Sequence, residues 1–267
     1  MTERALAGAP EEPVETPGAI LDRAAGPLET VWENELGGLT FRDRTAGRYL
    51  KWVAAGTPEL DLDAEAARLR WAAAQGARVP SVVEAGSDRS GSWLVTAALR
   101  GDSAVAPRWI AEPGTAARAI GAGLRELHDR LNASACPFDW SIERRLEQAE
   151  ERLSRGIGPA DWSPEHRALS IRQARELLRD APPVDEPVVC HGDACAPNTL
   201  LDESGAFLAH VDLGALGTAD RWADLAIASW STVWNYGPGY EAAVYAGYGI
   251  EPDPERIAYY RLLWDLS

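Results

Sequence analysis

Two periodicities divide this chain of 267 residues. Through the first hundred residues, short apolar runs alternate at the period of two that marks strands. Beyond position 102 the apolar positions recur at helical spacing. A strand-rich first third followed by a helical remainder reads as an α+β protein of two lobes, a small strand-rich one and a larger helical one. The expected boundaries are a disordered tail over residues 1–18, a first lobe over 19–97, a hinge over 98–102 and a second lobe over 103–267.

Within the first lobe, strands are expected between Thr30 and Val53, broken at Gly37-Gly38 and again over Arg42 to Gly47. Tyr49, Lys51 and Val53 then share one face of the last strand. A helix opened by Pro58 and the acids Glu59, Asp61 and Asp63, and stopped by Gly76, carries the apolar stripe Leu62, Ala66, Leu69 and Ala73. Glu65 falls about 60° from the centre of that stripe and points partly toward the protein body. Further strands are expected at Val79 to Val83 and Ser92 to Thr96. In the second lobe, Ala117, Ile120, Leu124, Leu127 and Leu131 form one helical stripe, and helices are expected over Ser141 to Arg155 and Glu165 to Asp180.

Composition removes several classes of function. Acids outnumber bases 41 to 26, a formal charge of −15. Such a surface repels phosphate backbones and anionic lipid, which argues against nucleic-acid or membrane partners and favours a cationic small molecule. No run approaches the roughly 18 apolar residues of a membrane span, and Met1 to Pro17 lacks the apolar core of a secretory signal. Three scattered cysteines build no disulfide framework and fit a reducing cytoplasm. The 26 basic residues are 25 arginines and the single lysine Lys51. A compact, rotatable ammonium differs most from a guanidinium where it must reach an oxygen cluster in a tight site.

Chemistry concentrates between Val188 and Gly214. Two apolar strands, Thr199 to Leu201 and Ala206 to Val211, flank the turn Asp202 to Gly205 and read as a hairpin. Pairing its arms brings Asn198 and Asp212 to neighbouring strand ends about 5 Å apart, and Asp193 lies on the loop leading in. Two carboxylates and an amide oxygen at one mouth are hard ligands of the kind that suit Mg²⁺. Cys190, His191 and Cys195 have no second Cys/His pair at ligand spacing, which argues against zinc. His128, on an apolar helical stripe, reads as a core histidine.

These residues resemble the aminoglycoside phosphotransferase family, which has a protein-kinase-like fold. The likeness spans roughly residues 28 to 267 and rests on Cys190-His-Gly-Asp-Ala-Cys-Ala-Pro-Asn198 and on Val211-Asp-Leu-Gly followed by Ala219-Asp-Arg-Trp-Ala-Asp-Leu-Ala226. It implies that Asp193 is the catalytic carboxylate, that Asn198 and Asp212 hold Mg²⁺, and that Lys51, paired with Glu65, contacts the nucleotide phosphates. It places Gly37 and Gly38 in the nucleotide-covering loop, the Thr96 carbonyl and Ala98 amide at the adenine edge, and Asp224 as a buried brace of the catalytic loop. Nucleotide binding then belongs to the first lobe, and the catalytic, metal and acceptor sites to the second. Asp161, Glu165 and Asp265 fall where the family binds its acceptor.

The activity so implied is transfer of the ATP γ-phosphate to an aminoglycoside hydroxyl of the 3′ or 3″ type, a resistance reaction; GTP in place of ATP and the oligomeric state are left open. Ala215 stands where the antibiotic kinases usually have Arg, and Trp230 to Tyr240 occupies a stretch where relatives place acids. The family also phosphorylates macrolides, cyclic peptides and amino alcohols, so these acceptors stay open. A non-catalytic nucleotide-binding role is the reading from another class, but it usually goes with loss of the catalytic Asp, a metal ligand or the lysine, all present here.

Overall fold

The alternating apolar residues of the first hundred positions close one face of a single sheet. The computed structural model describes residue 10 and residues 12–267, and these divide into two compact units. The first takes the described residues up to Ala74 together with Val79–Arg100; the second takes Gln75–Arg78 and Gly101–Ser267.

The first unit begins with a short helix α1 (Gly18–Leu21), followed by β1 (Leu28–Glu33), β2 (Leu39–Asp43), β3 (Arg48–Ala54), the helix α2 (Leu62–Ala74), β4 (Val82–Ser87) and β5 (Gly91–Ala97). The strands form one antiparallel sheet in the order β1-β2-β3-β5-β4. Every second residue of three neighbouring strands faces one core: Leu39 and Phe41, Leu50 and Trp52, Trp93 and Val95, covered by Ile20 of α1. Phe41 and Leu50 are fully buried, and each such side chain contributes about 1.5–3 kcal/mol of transfer free energy. Lys51 has the opposite parity and reaches α2. The expected tail falls in part on residues 1–9 and 11, outside the described residues; Val14 already packs against this core.

Three expectations in this unit move. Helix α2 starts at Leu62, four residues after Pro58, because the Asp61 carboxylate caps it by accepting the Ala64 amide at 2.9 Å. Its buried face is Leu62, Glu65, Ala66, Leu69 and Ala72, so Ala72 replaces Ala73 and Glu65 belongs inside the stripe. The strand expected at Val79 to Val83 becomes Val82–Ser87, beyond Pro80, which has no amide to give a ladder.

The second unit continues with β6 (Asp102–Ser103), α3 (Pro107–Ile110), α4 (Pro113–Arg130), α5 (Ile142–Ser154), α6 (Ile171–Arg179), β7 (Pro187–Cys190), β8 (Thr199–Leu201), β9 (Phe207–His210), β10 (Gly217–Asp220), α7 (Trp222–Tyr236), α8 (Glu241–Tyr248) and α9 (Pro254–Leu266). The hairpin β8–β9 gains β6 as a third strand, so the expected connector already contains a strand at Asp102. The His210 amide donates to the Arg78 carbonyl at 2.9 Å, which ties residues 75–78 to this unit. Helix α6 begins at Ile171 and not at Glu165. Ser170 and Gln173 close a reciprocal capping box there, and residues 165–169 are turns. Helix α7 is buried continuously from Trp222 to Thr232. Among the described residues, no helix is long and apolar enough to cross a membrane.

Candidate active site

In the first unit, Lys51 on β3 lies between Thr40 and Leu94 in the sheet register, and Glu65 lies one turn into α2. The Lys51 ammonium donates to both carboxylate oxygens of Glu65, at 2.8 and 3.1 Å. Glu65 is 4% exposed, so the carboxylate is fixed and the lysine keeps the more open end of the pair. Gly37 and Gly38 form the β1–β2 turn. Gly37 adopts φ +80°, and the Asn34 side chain accepts the amides of Leu36 at 3.0 Å and Gly38 at 2.7 Å. Thr96 sits in β5, opposite Tyr49 and Val82. Ala98 corrects an expectation: its amide donates to the Gly47 carbonyl at 2.9 Å and is already spent within the unit, so it does not stand as a donor to an adenine edge.

In the second unit, the loop 191–198 leaves β7 and turns at Gly192, with φ +85°. A Cβ at Gly192 would lie 2.1 Å from the Ala215 carbonyl oxygen, so both the backbone conformation and the close approach require glycine. Asp224, fully buried at the start of α7, accepts the His191 amide at 2.6 Å and the Gly192 amide at 2.9 Å. His128 Nε2 lies 3.0 Å from the same carboxylate, and its Nδ1 lies 2.9 Å from the Tyr248 hydroxyl. Burial opposes ionisation of Asp224, but these bonds and the nearby histidines hold its carboxyl below the ordinary range. His128 is thus a core histidine with both nitrogens occupied.

Asn198 ends a single 3-10 turn that starts at Ala196, and its Nδ2 donates to the Asp193 carbonyl at 3.0 Å and to Asp193 Oδ2 at 2.9 Å. The Val211 amide donates to the Asn198 carbonyl at 3.0 Å, so the hairpin does bring Asn198 to the chain entering Asp212. His191 accepts the Asp193 amide at Nδ1, 3.3 Å away, and its Nε2 meets the Val211 carbonyl at 3.0 Å. Asp212 leaves β9 with φ +63°, a left-handed turn that costs a non-glycine residue about 1 kcal/mol. Burial first, and the Asp212 charge second, push the Asp193 carboxyl above its usual range, against His191, Cys195 and Asn198. Asp193 Oδ1 is buried with no hydrogen-bond partner among the described residues, with only the Cys195 thiol beside the carboxylate as a weak donor. Two carboxylates that repel each other, beside an amide whose NH₂ is turned to one of them, make a hard-oxygen group suited to a small divalent cation.

The remaining candidates lie elsewhere in the same unit. Asp161 is exposed and accepts the Gly158 amide at 2.9 Å; Glu165 is exposed. Asp265 on α9 accepts from the Ser163 amide at 3.1 Å, the Ser163 hydroxyl at 2.6 Å and His166 Nδ1 at 2.5 Å, which binds the turns around Glu165 to α9. The link from these turns to the 191–198 loop runs through α7. His166 stacks edgewise on Trp230 at 5.8 Å, and the next residue, Ser231, accepts the Ala196 amide at 2.8 Å. Trp222 and Trp230 are core residues, whereas Trp234 is 39% exposed.

Ligand atoms of His128, Cys190 and Asp224 also cluster within 4.8 Å. Each is otherwise engaged: Cys190 donates to the Asp220 carbonyl at 3.3 Å, and burial pushes its thiol well up, away from the thiolate a metal needs. Ser231 and Cys195 were not legible as site residues, because what they touch is a backbone amide and a carboxylate on a folded loop.

The chain is also similar over most of its length to known proteins. The pattern of the phosphotransferase enzyme family matches residues 36–260. An aminoglycoside 3′-phosphotransferase of Streptomyces fradiae is 36% identical over 224 residues, covering 79% of this chain and 82% of the relative. The streptomycin 3″-kinase of Streptomyces griseus is 34% identical over 262 residues, covering 91% and 94%. Among solved structures, the aminoglycoside phosphotransferase APH(3″)-Id of Streptomyces rimosus, in complex with ADP and streptomycin, superposes with a TM-score of 0.76 at 28% identity, covering 93% of this chain and 95% of that one.

Proposed function

The chain belongs to the phosphotransferase enzyme family, and from that premise we propose that it transfers the γ-phosphate of ATP to a 3′- or 3″-type hydroxyl of an aminoglycoside. The observation that carries the reading is the group of Asp193, Asn198 and Asp212 at one hairpin mouth.

In this reading Asp193 orients the acceptor hydroxyl and takes its proton as the oxygen attacks phosphorus, while the bond to the departing ADP oxygen breaks. Its Oδ1, buried and without a hydrogen-bond partner among the described residues, is the atom available to the hydroxyl. Asn198 and Asp212 are the residues that would hold Mg²⁺, which supplies neutralisation of phosphate charge when bound. Lys51, its ammonium held by the buried Glu65, serves the nucleotide phosphates from its own unit. Gly37, Gly38 and Thr96 remain assigned to the nucleotide, and Asp161, Glu165 and Asp265 to the acceptor. The cytoplasm, where ATP is made, is the proposed compartment, and protection against the antibiotic is the proposed role.

A second reading keeps the chemistry and changes the acceptor to a macrolide, a cyclic peptide or an amino alcohol. Ala215 and the Trp230–Tyr240 stretch favour it by removing polar groups, as does the internal bonding of Asp265. ATP consumption by the pure protein, measured against a panel of these four acceptor classes, decides between them. Turnover with aminoglycosides alone supports the first reading; turnover confined to another class supports the second; no turnover with any acceptor contradicts both.

A further inference from the structure

Asp224, Ser231 and Asn235 stand at spacings of seven and four along α7, so they share one face, within about 40° of each other's direction. That face holds the 191–198 loop at two points. Asp224 takes the amides of His191 and Gly192, just before Asp193. Ser231, fully buried, takes the amide of Ala196, which is itself buried and comes after Asp193.

Asn235 in turn fixes the serine. Its Nδ2 donates to the Ser231 carbonyl at 2.8 Å and to the Ser231 Oγ at 3.1 Å. An oxygen accepting two N–H groups has its own hydrogen left to donate, and the Cys195 thiol lies beside both the Ser231 hydroxyl and the Asp193 carboxylate.

We propose that Ser231 is a positioning residue for phosphoryl transfer, pinning the second half of the 191–198 loop at the Ala196 amide and so steadying the segment that carries Asp193. The inference rests on the kinase reading above. Without the Ser231 bond the chain just after Asp193 would lose its anchor on α7 and rest on Asn198, and a displacement of about 1 Å at a reacting group can cost a hundredfold in rate.

The test compares Ser231→Ala and Ser231→Thr with the wild-type chain. The Ala variant is expected to lower kcat by about tenfold to a hundredfold while the KM values for ATP and acceptor stay within about twofold. The Thr variant, which keeps the hydroxyl, is expected to recover kcat to within about threefold of wild type. Hydrogen exchange at the Ala196 amide should be faster in the Ala variant and close to wild type in the Thr variant. If Ser231→Ala does not fold, Asn235→Ala reads the same line from its outer end, with a smaller loss of kcat and again no change in KM. Retention of kcat within twofold in Ser231→Ala overturns the proposal. So does a loss that follows a lowered melting temperature and is not restored by Thr. A wild-type chain inactive on every acceptor would defeat the kinase reading, and unchanged Ala196 exchange would then separately defeat the pinning by Ser231.

Discussion

Two side chains of opposite charge carry most of the proposed chemistry, and each is hydrogen-bonded by a neighbouring side chain. Asp193 receives the Asn198 amide at 2.9 Å, and its buried Oδ1 has no hydrogen-bond partner among the described residues. Asp193→Asn keeps the shape and removes the proton acceptor, so kcat should fall by roughly a hundredfold or more with circular dichroism and ATP binding unchanged. Steady-state kinetics beside a nucleotide titration reads both, and half the wild-type kcat in the variant would remove Asp193 from its role. Lys51 is the one lysine in a chain of 25 arginines, and Glu65 holds its ammonium from two oxygens. Lys51→Arg should damage activity although it preserves charge, because a planar fork does not replace a compact ammonium. A lysine-directed ATP analogue should label this side chain, and ATP should protect it; labelling indifferent to ATP would make Lys51 a surface residue.

At the scale of elements, what could be read from sequence depended on whether the deciding contact was local. The hairpin β8–β9 was legible because its strands, its turn and the bracketing Asn198 and Asp212 lie within fifteen residues. The facing strands Leu39–Asp43 and Arg48–Ala54 were legible for the same reason. The start of α6 was misplaced because the polar run from Glu165 resembles a first helical turn, whereas Asp265, a hundred residues away, holds that run in turns. Ala98 was misassigned because its amide meets Gly47 across the sheet, and Ser231 was missed because it meets a loop amide. The capping box explains where α6 does begin, and it gives a stability prediction. Ser170→Ala removes the acceptor for the Gln173 amide and should cost about 1 kcal/mol, a fall of about 2–4 °C in melting temperature by calorimetry. An unchanged melting temperature would show that the cap does not hold the helix.

At the scale of the whole molecule, the excess of 41 acids over 26 bases favours a cationic acceptor through long-range attraction. Screening shortens the Debye length from about 10 Å at 0.1 M salt to about 3 Å at 1 M. The acceptor KM should therefore rise with ionic strength more steeply than kcat changes; a KM indifferent to salt would argue for an uncharged acceptor. The central claim, that this chain phosphorylates an aminoglycoside hydroxyl, is tested most directly by the product. Wild-type protein incubated with ATP, Mg²⁺ and an aminoglycoside should yield a mass increase of one phosphate on the antibiotic, at its 3′- or 3″-type hydroxyl and with one ADP per phosphate. The Asp193→Asn protein should yield almost none. An aminoglycoside recovered unchanged, beside a macrolide, cyclic peptide or amino alcohol that gains the phosphate, would contradict the assigned acceptor.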